Sequence, residues 1–555
     1  MTMNRRTLIK RGAAAGLVLS VPRWLDPLLA SADVTPFAQP LRMPPVLTDA
    51  ELTIPIAAAD VPIVPGAATA MWTFGGTFPG PTIRRPTGET TKVTFDHQLP
   101  AAGTLTIHHH GHHTAAKDDG QPMSELIAPG SSRTYSYEHL EEGKPLRGAM
   151  RWYHDHSHGR TGIAAWHGLV GLFVVDDPAE ATLDLPGPER ELLLVVSETT
   201  LDDNNQLDLT NFTTGNPAAD NVGQGDIVLV NGVPQPYVEV EPTRYRLRIL
   251  NASSFNPYNL GFAAGAGGAP MTQVGNESGL FPAPVARDRA LLGPAERCDV
   301  VVDFTGLAGK DVVLSSAAQS TTLGAAARTA DVMQFRVRGV DVASTTPKSA
   351  LVPLPGWVAD LPQQPSRILA FGQGIDPAAP TATNLTWTIN GKPYDPASPV
   401  AQPALGASET WLLINVTTQS HYIHLHDVDW KLIQRNGAAP DPFEDVLKET
   451  FRLDPGDVVL VGTKFTDHLG TYMVHCHMLS HEDHAMMAPF EVVAAGASDL
   501  PSDPFDALTD AEASRVRTML AAQQASPGRP AAVPRIPLLL ESGSAALCDL
   551  TRRTR

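Results

Sequence analysis

The sequence predicts an all-β protein of three consecutive β-sandwich units, and three observations carry that prediction. First, 45 glycines and 49 prolines among 555 residues exceed ordinary usage, roughly 7 % and 5 %. Turn formers at that density suit short strands and disfavour long helices. Second, the clearest periodicity is alternation. In residues 244–250, Tyr245, Leu247 and Ile249 share one face and arginines share the other, the pattern of a strand with one buried face. Residues 91–95 and 298–304 also read as strands. Third, a short motif recurs: Phe74-Gly75-Gly76-Thr77-Phe78-Pro79, then Val230-Asn231-Gly232-Val233-Pro234, then Ile389-Asn390-Gly391-Lys392-Pro393. The copies lie 156 and 159 residues apart, one sandwich each.

In chain order, Arg5-Arg6 precedes a short apolar stretch at 12–21, and Ala30-Ser31-Ala32 offers a small-residue cleavage site. Residues 1–32 therefore read as a twin-arginine signal peptide, which predicts export by the Tat machinery to the periplasm, cell surface or medium. The first unit takes 33–180, the second 181–345, a Pro-rich linker 346–365 and the third 366–495. Beyond lies a tail, 496–555, with a helix over 511–524. Thr509 and Glu512 form a capping box at its start. The net charge of −18 argues against nucleic-acid or anionic-membrane partners. No run of eighteen apolar residues predicts a membrane span. Three cysteines are too few for a disulfide framework, and whether Cys298 pairs with Cys548 or is a buried thiol stays open.

Histidine placement is the strongest signal. Eleven lie between His97 and His167, eight between His421 and His484, and none across 168–420. Units one and three thus carry histidine and unit two carries none. Composition predicts fewer than one His-x-His pair, yet six occur. On a strand, residues i and i+2 share a face, so each pair aims two imidazoles one way. Neutral imidazole suits Cu, Zn, Fe and Ni. In residues 472–478, His475 and His477 face one side of a strand. Cys476 faces the other with Tyr472, Val474 and Met478. His421, Cys476, His481 and Met486 together supply the two His, one Cys and weak axial Met of a blue-copper site. Zinc is the rival metal, but its structural sites favour CxxC spacing, which is absent.

These motifs together resemble the three-domain multicopper oxidases, the group that includes laccase, bilirubin oxidase and the spore-coat laccases. His108-His109-His110-Gly111 resembles the family's first motif, HxHG. His154-Asp155-His156 resembles the second, and His421-Tyr422-Ile423-His424-Leu425-His426 the third, HPxHLH. His475-Cys476-His477 with His481 and Met486 resembles the fourth. The resemblance spans about residues 70 to 495 and implies three cupredoxin-like, Greek-key domains. It further implies four copper ions. His421, Cys476, His481 and axial Met486 would hold the type 1 copper, and His108 and His424 the type 2. His110, His154, His156, His426, His475 and His477 would hold the type 3 pair. Asp119 and Glu482 resemble acids that deliver protons near the cluster in family members.

The implied activity is one-electron oxidation of a small organic reductant, such as a phenol, an aminophenol or a bilirubin-like compound. That oxidation is coupled to four-electron reduction of O2 to water. A metallo-oxidase for Cu(I) or Fe(II) is the alternative, although the 13 methionines form no Met-rich segment to suit Cu(I). A copper-free structural relative is a third reading, and it should have lost ligands. Departures from the pattern are Tyr422 for the usual Pro, His109 in a slot often taken by Trp or Leu, and the additional His158. The extra His109, His112, His113 and His158 read either as a solvated run or as added metal ligands.

Overall fold

The computed structural model describes residues 34–210, 223–262, 268–318, 327–375 and 385–531. The expected signal peptide and Cys548 lie outside the described residues.

The strands form three successive pairs of sheets. The first pair joins a four-stranded sheet, ordered Thr69–Phe74, Glu51–Val61, Thr91–His97, Ser132–Tyr137, to a five-stranded one. The latter is ordered Val46–Leu47, Gly80–Pro86, Val170–Asp176, Ala149–Asp155, Ile107–His109. The second pair has seven and five strands, and the third six and four. Each pair encloses one core drawn from both of its sheets. Ile54 and Ile56 meet Ile83 and Phe173 in the first. Leu247 and Val300 meet Leu260 and Phe335 in the second, and Trp411 and Val461 meet Ile423 and Phe490 in the third. Inward-facing residues of two packed sheets forming one core is the definition of a sandwich.

The recurring motif has a common structural cause. Gly75-Gly76, Asn231-Gly232 and Asn390-Gly391 all adopt positive φ at both positions, between 49° and 80°. Two such residues in succession make the hairpin turn whose twist matches its strands, and Asn-Gly or Gly-Gly suits it best. Asn231 then ties its hairpin to the preceding strand, accepting from Val195 N–H (2.8 Å) and donating to Leu193 O (3.0 Å). Asn390 repeats this with Ala370 N–H (2.7 Å) and Ile368 O (3.1 Å).

One expectation is corrected. The strand Arg244–Asn251 is buried on both faces beyond its first residue. Its arginine face is not solvated, because acidic residues cover it. Arg246 pairs with Glu180 (2.7 Å) and with Asp299, and Arg248 pairs with Glu191 (2.9 Å). Arginine is tolerated inside when each guanidinium meets carboxylates.

After the third sandwich, a helix spans Asp510–Ala525, opened by the capping box of Thr509 and Glu512. Val516 and Met519, both fully buried, pack on Ile368, Ala370, Leu412, Ile414, Val458 and Leu460. The helix thus covers the outer face of the six-stranded sheet. Met519→Ala is expected to destabilise the third unit by about 2–5 kcal/mol, read as a lowered denaturant midpoint. An unchanged midpoint would show that the helix adds nothing. No helix among the described residues is long and apolar enough to cross a membrane.

Candidate metal centre

Two histidine-bearing strand pairs meet between the first and third units. In the first, Ile107–His109 runs antiparallel to Ala149–Asp155, with His108 opposite His154. In the third, His421–Leu425 pairs with Gly470–Cys476, so that His424 lies opposite His475 and Ile423 opposite Cys476. The eight imidazoles of His108, His110, His154, His156, His424, His426, His475 and His477 converge there, all buried.

Their tautomers follow from hydrogen bonds. The Nδ1 of His108 donates to Asp119 O (2.6 Å), that of His154 to Asp155 O (2.7 Å), and that of His424 to Glu449 O (3.0 Å). A carbonyl can only accept, so these rings carry their proton on Nδ1 and leave Nε2 a bare lone pair. Glu449 Oε1 does the same for His110 (2.9 Å) and the Cys476 carbonyl for His475 (3.3 Å), while Asp119 Oδ2 lies 2.7 Å from His426 Nδ1 and Glu482 Oε2 3.1 Å from His475 Nδ1. The Nε2 atoms then face one another. His108 and His424 are 3.4 Å apart, His110 and His154 3.0 Å, and His426 and His475 3.1 Å. Lone pairs so placed repel with no proton between them, and a cation removes the repulsion. Three all-histidine sets have ligand atoms within 4.8 Å of one another, His108/His110/His424, His110/His154/His477 and His156/His426/His475, and Asp119 makes a fourth with His108 and His426. Burial, reinforced by neighbouring imidazoles, holds His108, His110, His424, His426 and His477 well below the ordinary imidazole range. They are therefore neutral, as a ligand must be.

A second set uses the other ring nitrogen. Thr417 Oγ1 sits 2.8 Å from His421 Nε2, leaving Nδ1 turned inward, 3.1 Å from His481 Nδ1. Cys476 Sγ lies 3.7 Å from His421 Nδ1 and 3.5 Å from His481 Nδ1. Burial pushes the Cys476 thiol up to about 12 and His421 down to about 3. A soft cation here displaces the thiol proton. Met486 is fully buried in the same core, and Cys476 N–H donates to its carbonyl (3.0 Å). Trp387 lies 4.2 Å from the His481 ring and Phe255 5.9 Å from it. Both sets fit copper, being imidazole throughout in one and imidazole with thiolate in the other.

Two buried acids touch the larger set. Asp119 holds His108 by its carbonyl and His426 by its carboxyl, and burial pushes that carboxyl well above the usual range, with Asp427 and Glu449 adding to it. Glu482 accepts from Thr161 Oγ1 (2.6 Å) and lies 3.5 Å from His156 Nδ1. Burial pushes Glu482 up, but His475 and His156 outweigh it and hold it well below the usual carboxylate range. The next residue, Asp483, accepts from the N–H groups of Thr161 and Gly162, both 2.9 Å. It caps the helix Thr161–His167 from the other unit.

Comparison with known proteins agrees with this geometry. Residues 56–180 and 364–496 each match a family model described as multicopper oxidase. The bilirubin oxidase of Albifimbria verrucaria is 32 % identical over 442 residues, covering 75 % of this chain and 72 % of that one. The laccase of Bacillus stratosphericus is 30 % identical over 487 residues, covering 77 % and 91 %.

The chain belongs to the multicopper oxidase family.

The crystal structure of the Pediococcus acidilactici laccase superposes with a TM-score of 0.70 at 27 % identity, covering 83 % of this chain and 96 % of that one. The three sandwiches are accordingly cupredoxin-like, and the protein is a copper oxidoreductase.

Several features of this multicopper oxidase departed from the expected motifs. Tyr422 lays its ring against Gly293 of the middle unit, where any Cβ would strike it. His158 is exposed, whereas His109, His112 and His113 are buried, so the last three are not a solvated run. His112 Nδ1 contacts His109 Nδ1, and its Nε2 lies 2.7 Å from His139 Nδ1. Such a line does not converge on one point. No group of potential ligands among the described residues includes His109, His112, His113 or His158. Cys298 is a buried thiol, pushed well above its ordinary value by burial. Sequence reasoning missed Thr417, Trp387, Glu449 and Arg297, none of which stands in a recognisable motif.

His113 ties the first unit to the third. Its Nε2 lies 2.8 Å from Asp467 Oδ2. Burial lowers it, but Asp467 and Asp427 outweigh burial and raise it to about 9. Asp467 falls to about 2, chiefly through its bond to His113. The raised histidine contributes stability fully below its ordinary 6.5 and loses it as pH rises through about 9. The depressed aspartate contributes fully above 3.8 and loses it as pH falls through about 2. His113→Gln is expected to flatten the decline of the unfolding midpoint between pH 6.5 and 9. A decline equal to the parent's would exclude the latch.

Proposed function

We propose that the chain couples one-electron oxidation of small organic reductants, phenols, aminophenols or bilirubin-like compounds, to four-electron reduction of O2 to water. Four copper ions would supply the redox chemistry, one held by His421, Cys476, His481 and Met486 and three by the eight-histidine set. The protein's own residues divide the remaining work. Cys476 belongs to the smaller set and is covalently flanked by His475 and His477 of the larger, so two short peptide paths join them. Asp119 and Glu482 touch cluster histidines: Asp119, raised by burial, would hold a proton to give, and Glu482, held low by His475 and His156, would take one up and pass it on, the roles of general acid and base in oxygen reduction. Burial of all eight imidazoles excludes bulk water and large molecules from the larger set, and an organic reductant would pass its electrons to the smaller one.

The observation that carries the organic reading is the lack of clustered thioethers, since the 13 methionines form no Met-rich segment. A site for Cu(I) would call for clustered thioethers. We also propose that Arg5-Arg6 directs export of the folded, loaded chain, which Arg5→Lys with Arg6→Lys should retain in the cytoplasm.

Oxygen uptake by the copper-loaded chain tests the reading. A substituted phenol, an o-aminophenol and bilirubin are run beside Fe(II) and Cu(I), corrected for autoxidation. Faster uptake with the organic set is expected. Uptake with the metal ions alone would move the protein to the metallo-oxidases.

A further inference from the structure

We propose that Glu449 positions the metal cluster through His110, with Arg297 of the histidine-free middle unit as the counter-charge that lets its carboxylate be buried. The inference rests on the ligand roles proposed above for His110 and His424. Glu449 lies at the junction of Leu447–Lys448 and Thr450–Leu453 in the third unit. It reaches two imidazoles from two units. Its Oε1 is 2.9 Å from His110 Nδ1, and its backbone carbonyl is 3.0 Å from His424 Nδ1. Those rings lie 4.1 Å apart. One residue thus sets both tautomers and turns both Nε2 atoms inward.

The same Oε1 accepts from Arg297 Nη1. Arg297 belongs to the strand Arg297–Asp303 of the middle unit. It is fixed in turn by Ala295 O (2.9 Å) in its own unit and Met150 O (3.3 Å) in the first. The guanidinium therefore touches all three units. Both side chains are almost wholly buried, at 1 % and 2 % exposure, where an unpaired carboxylate would be costly. Beside Glu449, Lys448 extends the junction to Glu277 (2.9 Å) and Glu296 (3.0 Å). Gly111 completes the fit: a Cβ there would meet Glu449 Oε2 at 2.8 Å and Arg297 Nη2 at 3.2 Å. Gly111 also has a φ of +72°, so both its backbone and this ion pair call for glycine at the end of the first motif.

A carboxylate on the far nitrogen of a ligating imidazole fixes its orientation and raises its basicity, and loss of such a partner costs about 10–100-fold in metal affinity. His424 is held by a backbone carbonyl, so side-chain substitution spares it and the loss falls on His110. Two double variants of the full chain separate the effects without leaving a buried charge unpaired. Arg297→Met with Glu449→Gln keeps an acceptor for His110, and Arg297→Met with Glu449→Leu removes it. Each is copper-loaded and titrated with a chelator, reading copper per chain and blue absorbance per chain. The leucine variant is expected to release cluster copper at about 10–100-fold lower chelator with its blue absorbance intact, while the glutamine variant follows the parent. Both variants holding copper like the parent, both losing it, or blue absorbance fading in step would each overturn the inference. A parent that binds only the blue copper would instead overturn the ligand roles beneath it.

Discussion

A Cys476→Ser chain is expected to be colourless, to keep the copper held by the histidine cluster, and to oxidise phenols at least about 10³-fold more slowly, roughly 4 kcal/mol in barrier terms. The substitution is nearly isosteric, so the strand Gly470–Cys476 should keep its register against His421–Leu425. What changes is the donor. A thiol yields its proton to a soft cation, and a serine hydroxyl does not. Both covalent paths to His475 and His477 begin at that sulfur, so no alternative route of comparable length exists. The check is copper content, absorption and oxygen uptake on one preparation. Turnover within tenfold of the parent would show that electrons enter elsewhere.

Glu482→Gln is expected to lower turnover by about 10²–10⁴-fold, the ordinary worth of a positioned acid or base, with copper content and blue absorbance unchanged. The amide can still accept from Thr161 Oγ1, so the contact between the helices Thr161–His167 and Leu479–Asp483 survives. It cannot hold and release a proton between His156 and His475. A purely structural role predicts something different, namely loss of copper or colour along with activity. Reduction of the blue centre by substrate under anaerobic conditions should proceed at the parent's rate, because the lesion lies on the oxygen side. An anaerobic rate that falls with turnover would place the defect at substrate oxidation.

The residues that converge at the centre were largely legible in the sequence, because imidazole clusters leave a local trace. Pairs at i and i+2 share a strand face, and Cys476 between two histidines must point the other way. The structure puts it in the core with Tyr472, Val474 and Met478. The hairpin motif was legible for a similar reason, since consecutive positive φ values demand Asn-Gly or Gly-Gly. Glu449 and Arg297 were not legible. Arg297 opens an ordinary strand and Glu449 sits between two short ones, 152 positions apart, and only three-unit packing brings them together. Arg246 and Arg248 misled for the converse reason. Alternation reports which residues share a face and says nothing of what covers it, here Glu180 and Glu191. Trp387 and Thr417 act through shape and one hydrogen bond, which leave no spacing to read.

The division of the cluster between the two ends of the chain bears on how the enzyme is made. His108 and His424 are 316 residues apart, and ribosomes build from the N-terminus. A nascent first unit displays two His-x-His edges with nothing opposite them, a loose half-site that cannot enclose a metal. The closed site comes into being only when the last sandwich has emerged, folded and docked through the middle one. Metal capture is thereby postponed to the final act of assembly. A misdocked chain would hold the cluster metal weakly and surrender it, so tight retention there would report that the first and third sandwiches have met.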